Sequence, residues 1–372
     1  MLPTLLVISE AVGGFTIKFS NNQFQTSQLD NMAGKNVIIT GGNTGIGFET
    51  AKTLALAGAN VILTTRSKIK GDDAVDKIMT AFKEANSDGP NASKNARVTA
   101  MICDQNSLKS VKSFATSFKK LGMPLHLLVL NAGIMKSPGA QFIGKNLTYG
   151  FGVTDDGFEQ HIGVNHIAHQ YMAQLLEDVL AAAAPESRIV SVSSSAHSGG
   201  FVEGIRPETW FPDSAGVTPD WYEDGIAYGQ SKLANILFAR EFASRMQSKG
   251  KGVSAYSLHP GVIQSELGRY MGPEFERDLE NKSMFEKLLA TMFATIWISS
   301  NMNVETGALT TLHVATASKD KLINGGFYWP IGNLVDVSHP AWEVGNESKN
   351  VELQKTLWTA TEKAIQEALK RR

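Results

Sequence analysis

Cysteine is almost missing from this sequence: Cys103 stands alone among 372 residues. A single thiol excludes an internal disulfide framework and suits a reducing compartment. Cys103 follows the apolar stretch Val98 to Ile102 and reads as a small buried hydrophobe. Sequons such as Asn146-Leu147-Thr148 carry little weight in that setting. Long hydrophobic runs are missing too. The apolar opening Leu2 to Ile8 is cut off by Glu10, and Leu288 to Ile298 spans only 11 residues. Both fall short of the roughly 20 that a membrane helix needs. The opening lacks the basic start of a signal peptide and the arginines of a transit peptide. The expectation is a cytoplasmic protein without a membrane span, with organelle targeting by an N-terminal extension (residues 1–34) left open. Charge of one sign is also lacking. Lys and Arg number 35 against 36 Asp and Glu, which removes the basic surface that nucleic acid would require.

What is present is the composition of a globular protein, 42% hydrophobic with 34 glycines, ample for a large core. Short β-branched runs alternate with helical patterns, the signature of a parallel sheet covered on both faces. Strands are predicted at Asn36–Thr40, Ala59–Thr64, Val98–Ile102, Leu125–Leu130, Arg188–Val192 and Val253–Leu258, with Gly326–Trp329 as a last edge strand. Apolar spacing predicts helices from about Ile46 to Ala57, Asp155 to Ala184 and Tyr228 to Lys249. Leu353, Leu357, Ile365 and Leu369 share one face of a docked C-terminal helix, at about 351–370. Asn86–Asn95, Ser137–Gly152 and Ser198–Gly225 read as loops or insertions. No repeat or linker divides the chain. The fold expected is one doubly wound α/β domain over residues 35–372, with a mostly parallel seven-stranded sheet.

The most informative segment is Val37-Ile38-Ile39-Thr40-Gly41-Gly42-Asn43-Thr44-Gly45-Ile46-Gly47. A buried strand runs into Gly41, Gly45 and Gly47, and a helix follows directly. Glycine permits the turn and a close approach of backbone to pyrophosphate, while the helix start offers free N–H groups and partial positive charge. A glycine triplet alone is weak, but this one lies between a strand and a helix of a βαβ unit, the context the motif requires. Gly41, Asn43, Thr44, Gly45, Ile46 and Gly47 are the expected dinucleotide contacts. At the end of the second strand, Thr64-Thr65-Arg66-Ser67-Lys68 holds no carboxylate to bind a ribose 2′-hydroxyl. Arg66 can fork onto a 2′-phosphate, with Thr65, Ser67 or Lys68 as helpers, so NADP(H) is expected over NAD(H). The bland alternative for Arg66 is a solvated surface side chain.

Tyr228-Gly229-Gln230-Ser231-Lys232 sets a phenol and an ammonium on one helix face. Standing alone, such a pair arises easily by chance. A free tyrosine titrates near about 10, too high for easy proton shuttling, but a lysine cation and an oxidised nicotinamide ring both favour phenolate. Bringing the phenol to neutrality takes roughly 4 kcal/mol of differential interaction.

The spacing Thr-Gly-x-x-x-Gly-Ile-Gly, followed by Asn131-Ala132-Gly133, Ser193-Ser194, Tyr-x-x-x-Lys and Pro260-Gly261 in that order, resembles the short-chain dehydrogenase/reductase family over about residues 35 to 270. Asp156-Gly157-Phe158-Glu159, Val164-Asn165-His166, Ala196-His197 and Ser231-Lys232-Leu233-Ala234-Asn235 are similar to its retinol dehydrogenase-like and WW-domain oxidoreductase-like branch. The resemblance implies that Asp104 meets the adenine amine and that Asn131, Ala132 and Gly133 wall the cofactor. It implies that Ser194 holds the substrate oxygen, with Ser193 and Ser195 as close competitors, and that Asn165 anchors a water-linked proton relay behind Lys232. A helix-bending core amide is the other reading of Asn165. Tyr228 and Lys232 would also hold the ribose, and Pro260, Gly261, Val262 and Ser265 would border the nicotinamide.

The expectation is a departure from that branch, without its membrane anchor or WW domain, and Ser194 and Tyr228 stand 34 positions apart. The substrate therefore does not follow from the resemblance. A carbonyl or alcohol of apolar character (retinoid-, steroid- or lipid-like) is expected, with residues 265–300 as lid or core. A non-catalytic NADP(H) sensor of the same fold is the rival, and an intact Ser-Tyr-Lys set argues against it. The resemblance also implies pairing of two copies through the helices carrying Asn165 and Tyr228. His166-x-x-His169 has no third ligand nearby, so no metal is expected.

Overall fold

The computed structural model describes residues 24–29, 31–85, 97–135, 151–212, 218–261, 263, 302–330, 333–334 and 349–371. Seven strands run parallel: β1 Asn36–Ile39, β2 Asn60–Thr65, β3 Arg97–Ile102, β4 Leu127–Leu130, β5 Arg188–Val192, β6 Ser254–Leu258 and β7 Phe327–Trp329. A two-residue strand, β8 Asn333–Leu334, pairs antiparallel with β7 and extends the expected seven-stranded sheet to eight. The sheet order is β3-β2-β1-β4-β5-β6-β7-β8. Chain progression therefore reverses between β1 and β4. In an open α/β sheet such a reversal leaves a crevice beyond the carboxyl ends of the strands.

The strands at the sheet's centre are buried along their length and mostly apolar because both faces are covered. On one face Ile38, Ile62, Leu128 and Ile189 pack under α3 Leu108–Lys119, α5 Ala168–Leu175, α7 Asp224–Ser248 and α9 Val351–Lys370. On the other, Val37, Ile39, Val129 and Val190 pack under α1 Gly45–Leu56, α2 Lys68–Ala85 and α8 Val304–Thr316. Successive residues of β1 thus point to opposite cores, as a strand's two-residue period dictates. Cys103 is fully buried, and burial, with the charge of Asp104, pushes its thiol up to about 12.

The single helix expected over Asp155–Ala184 is divided. It consists of α4 Gln160–Ile162, a π turn Gly163–Ile167, α5, and α6 Glu177–Ala181 beyond a break at Leu176. Asn165 lies in the π turn. The helix expected from Tyr228 begins one turn earlier, at Asp224. α9 lies on α7 and α5, where Trp358 stacks on Phe238 at 6.1 Å and Arg245 covers its ring at 4.5 Å. The Ser198–Gly225 segment carries short turns rather than an unstructured loop, including Pro207–Thr209 and a bridge between Phe201 and Gly204. Most of the expected N-terminal extension, the loops at 86–95 and 137–150, and the lid at 265–300 lie outside the described residues.

Candidate active site

Six described segments of the expected site leave the carboxyl ends of strands, while Asn165 lies in the π turn and Tyr228 and Lys232 in α7. Gly41 follows β1, Arg66 β2, Asp104 β3, Asn131 β4, Ser194 β5 and Pro260-Gly261 β6, so six separate stretches of sequence meet along one crevice. Val262 and Ser265 lie outside the described residues.

The glycine loop is tight in the way a phosphate cradle requires. Gly41 and Gly45 have φ of 64° and 57°, the left-handed region that favours glycine. A Cβ on Gly47 would stand 2.4 Å from the Gly41 carbonyl oxygen and 2.5 Å from Asn131 Nδ2. Asn131 Nδ2 also donates to the Thr40 carbonyl at 2.9 Å, which binds the turn after β4 to the glycine loop. Thr44 stands at the N-cap of α1, and its side chain makes no capping hydrogen bond. Thr44 thus leaves the first-turn N–H groups, at Gly45, Ile46 and Gly47, uncapped, as an anion site would need. Asn43 lies in the same turn.

Arg66 is exposed at the end of β2. Its expected helpers divide. Thr65 Oγ1 is engaged in the turn with Ser67, and Lys68 pairs with Asp72 at 2.6 Å. Asp104 accepts the Asn106 N–H at 3.0 Å and holds the turn beyond β3.

Tyr228, Lys232 and Ser194 come together at the centre of the crevice. Lys232 Nζ lies 5.5 Å from the Tyr228 ring centroid and donates to the Val192 carbonyl at 3.3 Å. Ser194 hydrogen-bonds the half-buried Tyr228 phenol. Ser193, one competitor for that role, is committed elsewhere, since its hydroxyl donates to the Lys232 carbonyl at 2.6 Å. Burial dominates the titration of the pair. It pushes the Tyr228 phenol up to about 12 against the opposing Ser194 hydrogen bond, and it draws the Lys232 ammonium down to about 8. The expected depression of the Tyr228 pKa by Lys232 is therefore not a property of the protein alone; each group is biased toward its neutral form.

Asn165 is fully buried, and both ends of its amide are engaged. Oδ1 accepts the Ile134 N–H at 2.8 Å, while Nδ2 donates to the Ile134 carbonyl and to Ser231 Oγ, both at 3.0 Å. Ser231 Oγ in turn donates to the Tyr228 carbonyl at 2.7 Å. The side chain of Asn165 is thus a brace between the segment after β4 and the helix bearing Tyr228. Gly133 passes close by, where a Cβ would stand 3.2 Å from Asn165 Oδ1 and 3.4 Å from Lys232 Nζ. Ala132 lies against Gly41. Gly261 has φ of 101°, and a Cβ there would meet Met302 Sδ at 2.7 Å, so the turn beyond β6 needs glycine.

Three further residues surround this cluster. His161, buried with Glu159 and 2.9 Å from its carboxylate, sets its ring edge-on to Tyr228 at 5.9 Å between centroids. Thr40 and His169 lie beneath the glycine loop, 3.0 Å apart. Sequence reading passed over Thr40 and treated His169 only as half of a metal pair. His166 instead bonds Thr361 at 3.0 Å, and no metal-binding group occurs among the described residues.

Comparison with known proteins agrees with this arrangement. The short chain dehydrogenase family model matches residues 35–205. The chain is 36% identical to the WW domain-containing oxidoreductase of Gallus gallus, over 92% of this chain and 70% of that one. It is 36% identical to retinol dehydrogenase 11 of Homo sapiens, over 88% and 84%, and 33% identical to the chloroplastic short-chain dehydrogenase TIC 32 A of Brassica napus, over 78% of each. Among solved structures, an uncharacterised protein from Mycobacterium paratuberculosis superposes with a TM-score of 0.61 at 26% identity, over 92% of this chain and 97% of that one. The fold of the RhlG/NADP active-site complex of Pseudomonas aeruginosa is also similar, with a TM-score of 0.55 at 21% identity, over 81% and 96%. With a glycine loop, a Ser-Tyr-Lys cluster and relatives of this extent, the chain belongs to the short-chain dehydrogenase/reductase family, in its retinol dehydrogenase-like branch, and is an oxidoreductase.

Proposed function

We propose that the protein reduces apolar aldehydes or ketones with NADPH, using Tyr228 as the proton donor. The observation that carries this reading is the placing of Ser194 and Lys232 beside the Tyr228 phenol, with Lys232 Nζ 5.5 Å from its ring centroid. When bound, the cofactor supplies hydride from nicotinamide C4. Tyr228 gives its proton to the substrate oxygen, and the Ser194 hydroxyl orients that oxygen by a hydrogen bond. Lys232 holds the ribose and, as a cation, stabilises the phenolate left after proton transfer. Asn165 keeps the Tyr228 helix in register through Ser231.

The N-terminus of α1 and the glycines before it would hold the pyrophosphate, and Arg66 would hold the 2′-phosphate. Asp104 would meet the adenine, and Asn131, Ala132, Gly133, Pro260 and Gly261 would wall the ring systems. The absence of a carboxylate at the end of β2 supports NADP(H) over NAD(H). Apolar substrates are supported by the aromatic rings ahead of α7, where Tyr222 packs edge-on to Phe151 at 4.9 Å and to Trp221 at 5.6 Å.

The test is steady-state oxidation of NADPH and NADH across retinals, steroids, aliphatic aldehydes and quinones. NADPH-dependent turnover on apolar carbonyls is expected. Preference for NADH would overturn the role of Arg66, and tight NADPH binding with no turnover would favour a cofactor sensor.

A further inference from the structure

His169 is 1% exposed in α5, four residues after Asn165, and both of its ring nitrogens are engaged. Nδ1 lies 3.0 Å from the Asn165 carbonyl. A carbonyl only accepts, so Nδ1 carries the proton. Burial keeps the ring neutral, its pKa drawn down to about 3. Nε2 is therefore an acceptor, and the group 3.0 Å from it is the Thr40 hydroxyl, which donates. The Thr40 oxygen in turn accepts the N–H groups of Asn131 at 2.8 Å and Ala132 at 2.9 Å. One proton and two lone pairs are thereby all used. The only other acceptor recorded for this hydroxyl, the Val129 carbonyl, is farther away at 3.4 Å.

We propose that His169 is a positioning residue of the dinucleotide site, fixing through one hydrogen-bond chain the ends of β1 and β4 and the π turn that carries Asn165. The inference rests on the reading that the Gly41–Gly47 loop holds a nicotinamide dinucleotide. β1 and β4 flank the point where the sheet order reverses, so the wall of the crevice is set by how their ends are tied. The Thr40 oxygen is the acceptor for two successive N–H groups of the turn after β4, and the shortest hydrogen bond of its own proton is to Nε2. At the other end of the ring, the amide of Ala168 reaches back to Gly163 across the π turn, which shifts the helical ladder around Asn165. The imidazole supplies a further donor to the Asn165 carbonyl there. A phenylalanine would fill the same space but neither donate to Asn165 nor accept from Thr40.

The test compares wild type, His169→Phe and His169→Gln by thermal unfolding, NADPH fluorescence titration and turnover. His169→Phe is expected to fold, to weaken NADPH binding about tenfold, the scale of one buried hydrogen bond, and to lower kcat. His169→Gln, whose amide both donates and accepts, is expected to recover part of both losses. A folded His169→Phe with unchanged Kd and kcat, its effect confined to the unfolding midpoint, overturns the proposal. If His169→Phe does not fold, Thr40→Val cuts the same chain at its other end, and an unchanged NADPH Kd there overturns it equally. Nitrogen-15 shifts of His169 must also show the Nδ1-protonated tautomer; an Nε2-protonated ring contradicts the chain. A wild type that binds neither NADPH nor NADH removes the underlying reading and this inference together. Normal binding with an indifferent His169→Phe removes this inference alone.

Discussion

Lys232 shows what this site costs the fold. Its ammonium is 5% exposed, and its recorded hydrogen bond is to the Val192 carbonyl, which Asn235 Nδ2 also supplies at 3.1 Å. Burial lowers its pKa from 10.5 to about 8, which corresponds to at most roughly 3 kcal/mol of destabilisation of the charged form. Below about pH 8 both folded and unfolded chains bind this proton, and the destabilisation is present in full. Between about 8 and 10.5 the unfolded chain binds more protons than the folded one, so stability rises with pH across that window. Lys232→Met is therefore expected to abolish turnover while raising the unfolding midpoint at pH 7 by about 2–4 °C. The gain should fade as pH approaches 10.5. A lowered midpoint at pH 7 would show that the contacts of the lysine stabilise more than its burial destabilises. The Tyr-Lys pair was legible from its spacing, but the titration of Tyr228 was not. Spacing reveals a neighbouring cation; it does not reveal how strongly burial raises the phenol's pKa.

At the scale of the element, the glycine loop and the C-terminal helix were both readable, for different reasons. Gly41, Gly45 and Gly47 follow from the strand-to-helix transition. Gly47 owes its identity both to the Gly41 carbonyl of its own loop and to a long-range neighbour, Asn131, that local sequence does not show. Gly47→Ala is expected to force the loop off Asn131, to cost about 1–3 kcal/mol, and to weaken NADPH binding. Chemical denaturation with dinucleotide titration reads both effects, and wild-type values in each would mean the loop yields freely. α9 followed from its apolar stripe, but what it covers did not. Trp358 is 3% exposed against Phe238 and Phe242, so Trp358→Ala is expected to lose about 3–5 kcal/mol in denaturant titration. A loss below 1 kcal/mol would mean that α9 is loosely docked. The division of the Asp155–Ala184 helix escaped the sequence because a π turn changes the backbone pairing without breaking the apolar pattern.

For the whole molecule, alternation of strands and helices fixes the sheet, and the order reversal between β1 and β4 fixes where the crevice lies. The two-residue β8 was not legible, since so short an edge strand has no periodicity to read. α9 also bears on assembly. The pairing expected through the helices carrying Asn165 and Tyr228 would use a side of α5 and α7 that α9 partly covers, with Gln170 bonded to the Trp358 carbonyl and His166 to Thr361. The chain is expected to sediment as a monomer; a dimer at micromolar concentration would mean that copies meet elsewhere or that α9 moves aside. Among the described residues no helix is long and apolar enough to cross a membrane.

The proposed chemistry depends most on the Tyr228 proton. Its direct test is NADPH binding and single-turnover NADPH oxidation, with an apolar aldehyde, by wild type and by Tyr228→Phe. The prediction is unchanged folding, an NADPH Kd within a few-fold of wild type, and a rate lower by a factor of about 100 or more, the scale of general acid catalysis. A Tyr228→Phe variant that oxidises NADPH at the wild-type rate would contradict the assignment of Tyr228 as the acid.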